Sequence, residues 1–149
     1  MQIITSSNLS EARRQIQKIK KENPNEEIAV RAHDDEFNRK ILEIPQVDIF
    51  LDPELHDRKD KLKQRDSGLN EILCKLAAKN NIKIGISLQE IVRLPKKEKA
   101  LALSRIIQNI KLCRRTQTKI IFMPKQSKQD VISFFLTLKA STSQARDAC

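Results

Sequence analysis

The chain has 149 residues, 39% hydrophobic and 32% charged, with a formal net charge of +10 and only five aromatics, all phenylalanine. That length suits one domain over 1–149 with a real core, and no apolar run approaches the ~20 residues that span a bilayer. With no secretory pattern at its start, it reads as a cytoplasmic protein without a membrane partner. A basic excess favours a polyanionic partner, but scarce aromatics exclude the base-stacking platforms of general single-strand binders.

In chain order, 2–5 reads as a strand. A helix follows, with Asn8 and Glu11 at capping-box spacing and Leu9, Ala12, Ile16 and Ile19 in a stripe. Residues 27–32 form a second strand, then a short helix around Phe37, Ile41 and Leu42 ends before Pro45. A third strand covers 47–52, followed by a polar stretch long enough for a binding loop or a mobile segment. A helix over 69–80 precedes a fourth strand at 82–88, in which Ile82, Ile84, Ile86 and Leu88 point one way and Lys83, Gly85 and Ser87 the other. The longest helix spans 96–115, a fifth strand 119–124, and a last helix 128–138, with a small-residue tail suited to another short helix. Strand and helix alternating at this spacing imply a parallel sheet with right-handed crossovers. A full eight-stranded barrel needs at least about 200 residues. The expected fold is α/β, a truncated or incomplete TIM-like barrel of about five parallel strands with helices outside, or an open sheet.

Charge is unevenly placed. Residues 1–52 carry 8 basic and 10 acidic side chains, whereas residues 93–115 carry 8 basic and 1 acidic. On the 96–115 helix, Lys97, Ser104, Gln108, Lys111 and Arg115 recur opposite the apolar stripe, a face able to track a phosphate backbone. Both glycines, Gly68 and Gly85, fall within one stretch. Arg58, Lys59, Lys61, Lys63 and Arg65 lead into Ser67 and Gly68 at an expected helix start, a candidate phosphate cradle. Equally, Ser67 caps that helix and Gly68 only makes the turn. Gly85 is expected to relieve crowding inside the sheet's curve. Lys125, past the fifth strand, and Arg105 on the long helix complete the residues expected to contact RNA.

Cys74, Cys113 and Cys149 lack metal-ligand spacing and read as free thiols, the first two near apolar stripes. A competing reading is a metal-dependent phosphoesterase. His33, Asp34, Asp35, Asp52 and His56 fall at or beyond strand C-termini, where barrel enzymes build their sites. Asp34 and Asp35 read equally as a helix start. Phe134 and Phe135 form a pair wider than one helix face can bury, so one ring is a candidate subunit contact, and a scaffold binding only protein is a third reading.

The segments "SSNLSEARRQI", "NRKILEIPQVDIFLDPEL", "RDSGLNEILCKLAAKNNIKIGISL" and "SRIIQNIKLCRR", in that order, resemble the archaeal ribonuclease P protein component 3 family. The Asp-Ser-Gly-Leu-Asn turn with its following helix and strand is the most specific piece. The resemblance implies an α/β barrel that acts as a non-catalytic protein subunit, supporting the RNA that removes the 5′ leader of precursor tRNA. It further implies that the RNA and its Mg²⁺ carry the chemistry, with no cofactor bound by this chain. The implied partners are ribonuclease P RNA, a second small protein subunit in a two-plus-two heterotetramer, the other ribonuclease P proteins and, indirectly, precursor tRNA.

Overall fold

A computed structural model describes residues 1–149 other than Arg58, Lys61, Lys63, Lys125 and Cys149. Five strands, β1 (Gln2–Ile4), β2 (Ile28–Arg31), β3 (Ile49–Leu51), β4 (Lys83–Ser87) and β5 (Ile120–Met123), form one parallel sheet in the order 1-2-3-4-5. Between and after them lie α1 (Leu9–Glu22), α2 (Asp35–Leu42), α3 (Glu71–Lys79), α4 (Leu88–Arg93), α5 (Lys96–Thr116), α6 (Lys128–Thr137) and α7 (Thr142–Asp147).

This strand order decides the architecture. In a doubly wound sheet the order reverses and helices cover both faces. Here every right-handed crossover steps the same way, so the helices gather on one face. Ile4, Ile28, Val30, Phe50, Ile84, Ile86, Ile120 and Phe122 point into that helical layer and meet Ala12, Ile16, Phe37, Ile41, Cys74, Ala77, Ile106, Ile110 and Phe135. Burying each such aliphatic or aromatic side chain stabilises the fold by roughly 1.5–3 kcal/mol relative to exposure. The opposite face turns inward as a barrel interior does, with Ala29, Ile49 and Leu51 fully buried. The expected incomplete barrel is therefore the fold.

Gly85 belongs to the inner face. In register it lies between Leu51 and Ile121, and a Cβ there would come within 2.7 Å of Ile49 Cγ2 and 2.9 Å of Leu51 Cδ1. The crowding expected at this glycine is thus supplied by β3. Local signals set the helix ends. Asn8, Asp34, Asn70, Ser127 and Ser141 each accept a backbone N–H of the turn they open. Glu11 departs from the reciprocal capping box: its carboxylate accepts from Ser6 Oγ at 2.8 Å.

Two sequence expectations are corrected. The helix expected from 69 starts at Glu71 and is capped by Asn70, with Asn70 Oδ1 accepting from Leu73 N–H at 2.9 Å, not by Ser67. Residues 88–93, expected as strand end and turn, form α4. Of the Phe134–Phe135 pair, Phe135 is buried and Phe134 half-buried, both rings packing on Phe122 at centroid distances of 5.2 and 4.8 Å, and Leu136 on α6 is exposed. Among the described residues, no helix is long and apolar enough to cross a membrane.

Candidate nucleic-acid interface

The segment 52–70 between β3 and α3, expected as a binding loop or a mobile one, is folded down onto α5 by two α5 side chains. Arg105, only 4% exposed, donates through one guanidinium nitrogen to the carbonyls of Glu54 (3.1 Å) and His56 (3.0 Å), while its other terminal nitrogen lies 3.7 Å from Asp60 Oδ1. One turn further, the Asn109 amide donates to the Ser67 carbonyl at 3.2 Å. Asp60 then holds the outer part of the loop, accepting from Asp66 N–H at 2.9 Å and from Arg65 Nε at 3.4 Å. The Asp66 N–H, then the Arg105 and Arg65 guanidiniums, keep the Asp60 carboxyl below its ordinary range.

Arg105 is consequently not an outward RNA contact. Its planar fork serves the loop from inside, one nitrogen at two carbonyls and the other beside Asp60. Ser67 and Gly68 are also withdrawn: Ser67 is fully buried, and the Gly68 N–H donates to Asp66 Oδ1 at 3.0 Å. Gly68 has φ +78, and a Cβ there would sit 1.9 Å from the Pro53 carbonyl oxygen. Close backbone approach explains this glycine; an anion cradle does not. The small concavity beside it, 110 Å³, is lined by Arg65 and Gln108 together with Asp35 and Asp66, acids that oppose a phosphate.

What remains outward forms a stripe along α5. Lys97, Leu101, Lys111 and Arg115 are exposed, and Ser104 and Gln108 between them are half-buried. Lys96, Lys97, Lys99, Lys111, Arg114 and Arg115 enter no ion pair with a described residue. The cations therefore sit in two groups, one at each end of α5, separated by about 21 Å between Lys97 and Lys111 at helical rise. Arg65 lies beside the neutral middle, because it and Gln108 line the same concavity. Lys59 is exposed on the same loop. Arg58, Lys61, Lys63 and Lys125 lie outside the described residues. Sequence reasoning included Lys96, Lys99 and Arg114 only in its charge count, although their spacing at the helix ends was visible.

The residues of the phosphoesterase reading take separate structural positions. His33 Nε2 lies 3.2 Å from the Thr5 carbonyl and its ring stands edge-on to Phe37; Asp34 caps α2; His56 faces Asp66 at 3.7 Å. Asp52, in the left-handed region at φ 54, accepts from Ser87 N–H (2.7 Å) and Ser87 Oγ (2.9 Å) and pairs with Arg31 at 3.3 Å. Burial raises its carboxyl pKa, against the opposing pull of Ser87 and Arg31. Among the described residues no three His, Cys, Asp or Glu side chains gather as a metal site.

Beside Asp52 stands a group with no sequence signal. Glu54 is fully buried, neither carboxyl oxygen has a hydrogen-bond partner, and its pKa is pushed up to about 8, first by burial and then by Asp52. At neutral pH it is mostly a neutral acid.

No protein-family model matches the chain. It is 29% identical over 115 residues to ribonuclease P protein component 3 of Methanococcus vannielii, covering 76% of this chain and 47% of that protein. It is 33% identical over 84 residues to the Methanosarcina acetivorans protein of the same name, covering 56% of this chain and 32% of that one. Its fold matches a chain in a cryo-EM structure of archaeal ribonuclease P with mature tRNA, with TM-score 0.79 and 21% identity, over 98% of this chain and 62% of that chain. The chain thus spans about half the length, or less, of the curated relatives it matches. The resemblance read from the sequence holds: over that shared part, this chain is similar to archaeal ribonuclease P protein component 3.

Proposed function

We propose that this chain is a protein subunit of ribonuclease P that binds and supports the catalytic RNA in 5′ maturation of precursor tRNA. The observation that carries the proposal is the outer stripe of α5, on which Lys97, Lys111 and Arg115 stand exposed and make no ion pair with a described residue, while Ala102, Ile106, Asn109, Ile110 and Cys113 on the other side are buried. Phosphate contact is what such a stripe can do. It offers point charges at two ends of a rigid rod, and few aromatic rings for reading bases, so it holds a structured RNA by backbone and shape. Lys59 and Arg65 extend the stripe sideways over the loop.

In this reading the protein supplies no reacting group. The RNA and its Mg²⁺ ions perform the hydrolysis, and the chain works beside a second small protein subunit, in a two-plus-two arrangement, and the other ribonuclease P proteins. Reconstitution tests it. Adding this chain to the RNA and the remaining proteins is expected to raise precursor-tRNA cleavage at low Mg²⁺, and RNA binding is expected to weaken steeply with salt. If six to ten phosphates are engaged, affinity falls ~10³ to 10⁵ between low and moderate salt, by analogy with DNA-binding proteins. No gain in cleavage, or an affinity indifferent to salt, refutes the proposal.

A further inference from the structure

Away from α5, a 610 Å³ groove runs between α1 and the turn that joins α2 to β3. Arg13, Gln17, Lys20 and Lys21 wall it on the helix side, at positions i, i+4, i+7 and i+8, so they share one face of α1. Ile16, fully buried, lies at its base; Ile44, half-buried, and Pro45 and Gln46, both exposed, form the other wall.

The charges of this groove are not balanced from within. Lys20 is committed to the fold, donating to the Glu26 carbonyl at 2.7 Å and to Asp48 Oδ2 at 3.2 Å. Glu43, the acid among the lining residues, already stands 3.4 Å from Arg39 Nε and 3.8 Å from Lys40 Nζ. Arg13 and Lys21 are exposed and form no ion pair with a described residue. Lys21 also suits the C-terminal end of the helix dipole, but Arg13, in the N-terminal half of α1, gains nothing from it. Two uncompensated cations thus flank an apolar base, about 12 Å apart along α1 at helical rise.

We propose that this groove docks an extended acidic segment of a partner protein, of the pattern acid-x-apolar-x-acid. In an extended chain residues i, i+2 and i+4 project from one side, and at ~3.3 Å per residue the first and last stand ~13 Å apart. That span matches the spacing of Arg13 and Lys21. The two acids meet those cations, the central apolar side chain sits over Ile16 and Ile44, and the Gln17 and Gln46 amides, on opposite walls, donate to and accept from its backbone. The same lining serves RNA poorly: its apolar base offers nothing to a phosphate, and no aromatic ring lines it for a base to stack on. In the helical layer α1 packs on α2 and α5 on α3, so the groove and the cationic stripe occupy different parts of the surface. The docking site therefore goes beyond the RNA reading of α5 and does not depend on it.

The test titrates the isotope-labelled full chain, without RNA, with the peptide acetyl-Ser-Glu-Thr-Leu-Thr-Glu-Ser-amide and follows the backbone amides by NMR. The expected result is a saturable set of shifts confined to α1 and residues 43–46, lost when both peptide glutamates become glutamine or its leucine becomes asparagine. Arg13→Ala and Lys21→Ala should each weaken binding about 2–5-fold, as exposed ion pairs allow, with the urea midpoint unchanged. Glu43→Gln should tighten it. No shift in the groove, shifts spread along α5, or equal binding by the glutamine peptide overturns the proposal. So does displacement of the peptide from the groove by a short oligouridylate, which would make the groove an RNA site. Since neither RNA cleavage nor the cations of α5 enter this measurement, its failure leaves the reconstitution test standing.

Discussion

Replacing Glu54 by Gln tests the most costly group in the fold. The acid is fully buried, its oxygens lack hydrogen-bond partners, and its pKa rises from 4.5 to about 8. A raised carboxyl pKa means that the folded chain holds the proton more tightly than the unfolded chain. Below pH 4.5 both states are protonated and nothing is lost; as pH climbs toward 8 the unfolded state alone ionises, and folding stability declines. At about 1.4 kcal/mol per pKa unit, the deficit at pH 7 is about 3 kcal/mol, and most of it accumulates between pH 5 and pH 7. Glutamine cannot ionise. Its amide also needs partners, so the offset between the proteins is uninformative, whereas the pH slope is diagnostic. Urea unfolding followed by far-UV circular dichroism suits a chain without Trp or Tyr. Wild type should lose roughly 2–3 kcal/mol relative to Glu54→Gln from pH 5 to pH 7, with the two curves running parallel above about pH 9. Parallel curves from pH 5 upward would refute the reasoning, because they would mean that Glu54 reaches water or a partner.

Arg105→Lys should destabilise by about 2–3 kcal/mol, since one ammonium cannot reach two carbonyls and Asp60 together as the two guanidinium nitrogens do; faster proteolysis within 57–65, mapped by mass spectrometry, checks it. Gly68→Ala should cost at least about 2 kcal/mol in urea unfolding. Gly68→Asn should be no better, because the obstacle is the Pro53 carbonyl at 1.9 Å rather than the left-handed φ alone. Lys111→Ala with Arg115→Ala should leave stability within about 0.5 kcal/mol of wild type, yet lower the slope of log affinity against log salt by about 1.5–2 if each cation meets a phosphate.

The order of strands and helices was legible because caps and apolar stripes are local. Asn8 and Asp34 open their helices where polar residues precede an apolar period. Errors arose where contacts are distant in sequence. Ser67 reads as a cap, but Asn109, far along the chain, draws its carbonyl inward and leaves Asn70 to cap α3. Arg105 was read as an outward cation by its charge, although it falls on the period of Ala102, Ile106, Asn109 and Cys113, the buried side of α5. That signal was present. Nothing comparable marks Glu54, a buried acid whose backbone carbonyl is held by Arg105 from far along the chain.

The two sides of α5 therefore act on one task. Ordering a free backbone residue costs roughly 1–2 kcal/mol, which a flexible loop would lose on meeting an RNA. Arg105 and Asn109 have already incurred that cost during folding, holding the loop at three carbonyls while Asp60 fixes Arg65 beside Gln108. Under the proposed function, Arg65 would then meet the RNA from a rigid base, in the gap between the two cationic ends of the helix. An inward arginine can in this way strengthen phosphate binding without touching a phosphate. The distinction is measurable: Arg105→Lys should weaken RNA binding through the loop while the salt contribution of Lys111 and Arg115 persists. Equal loss of both would place Arg105 at the RNA itself.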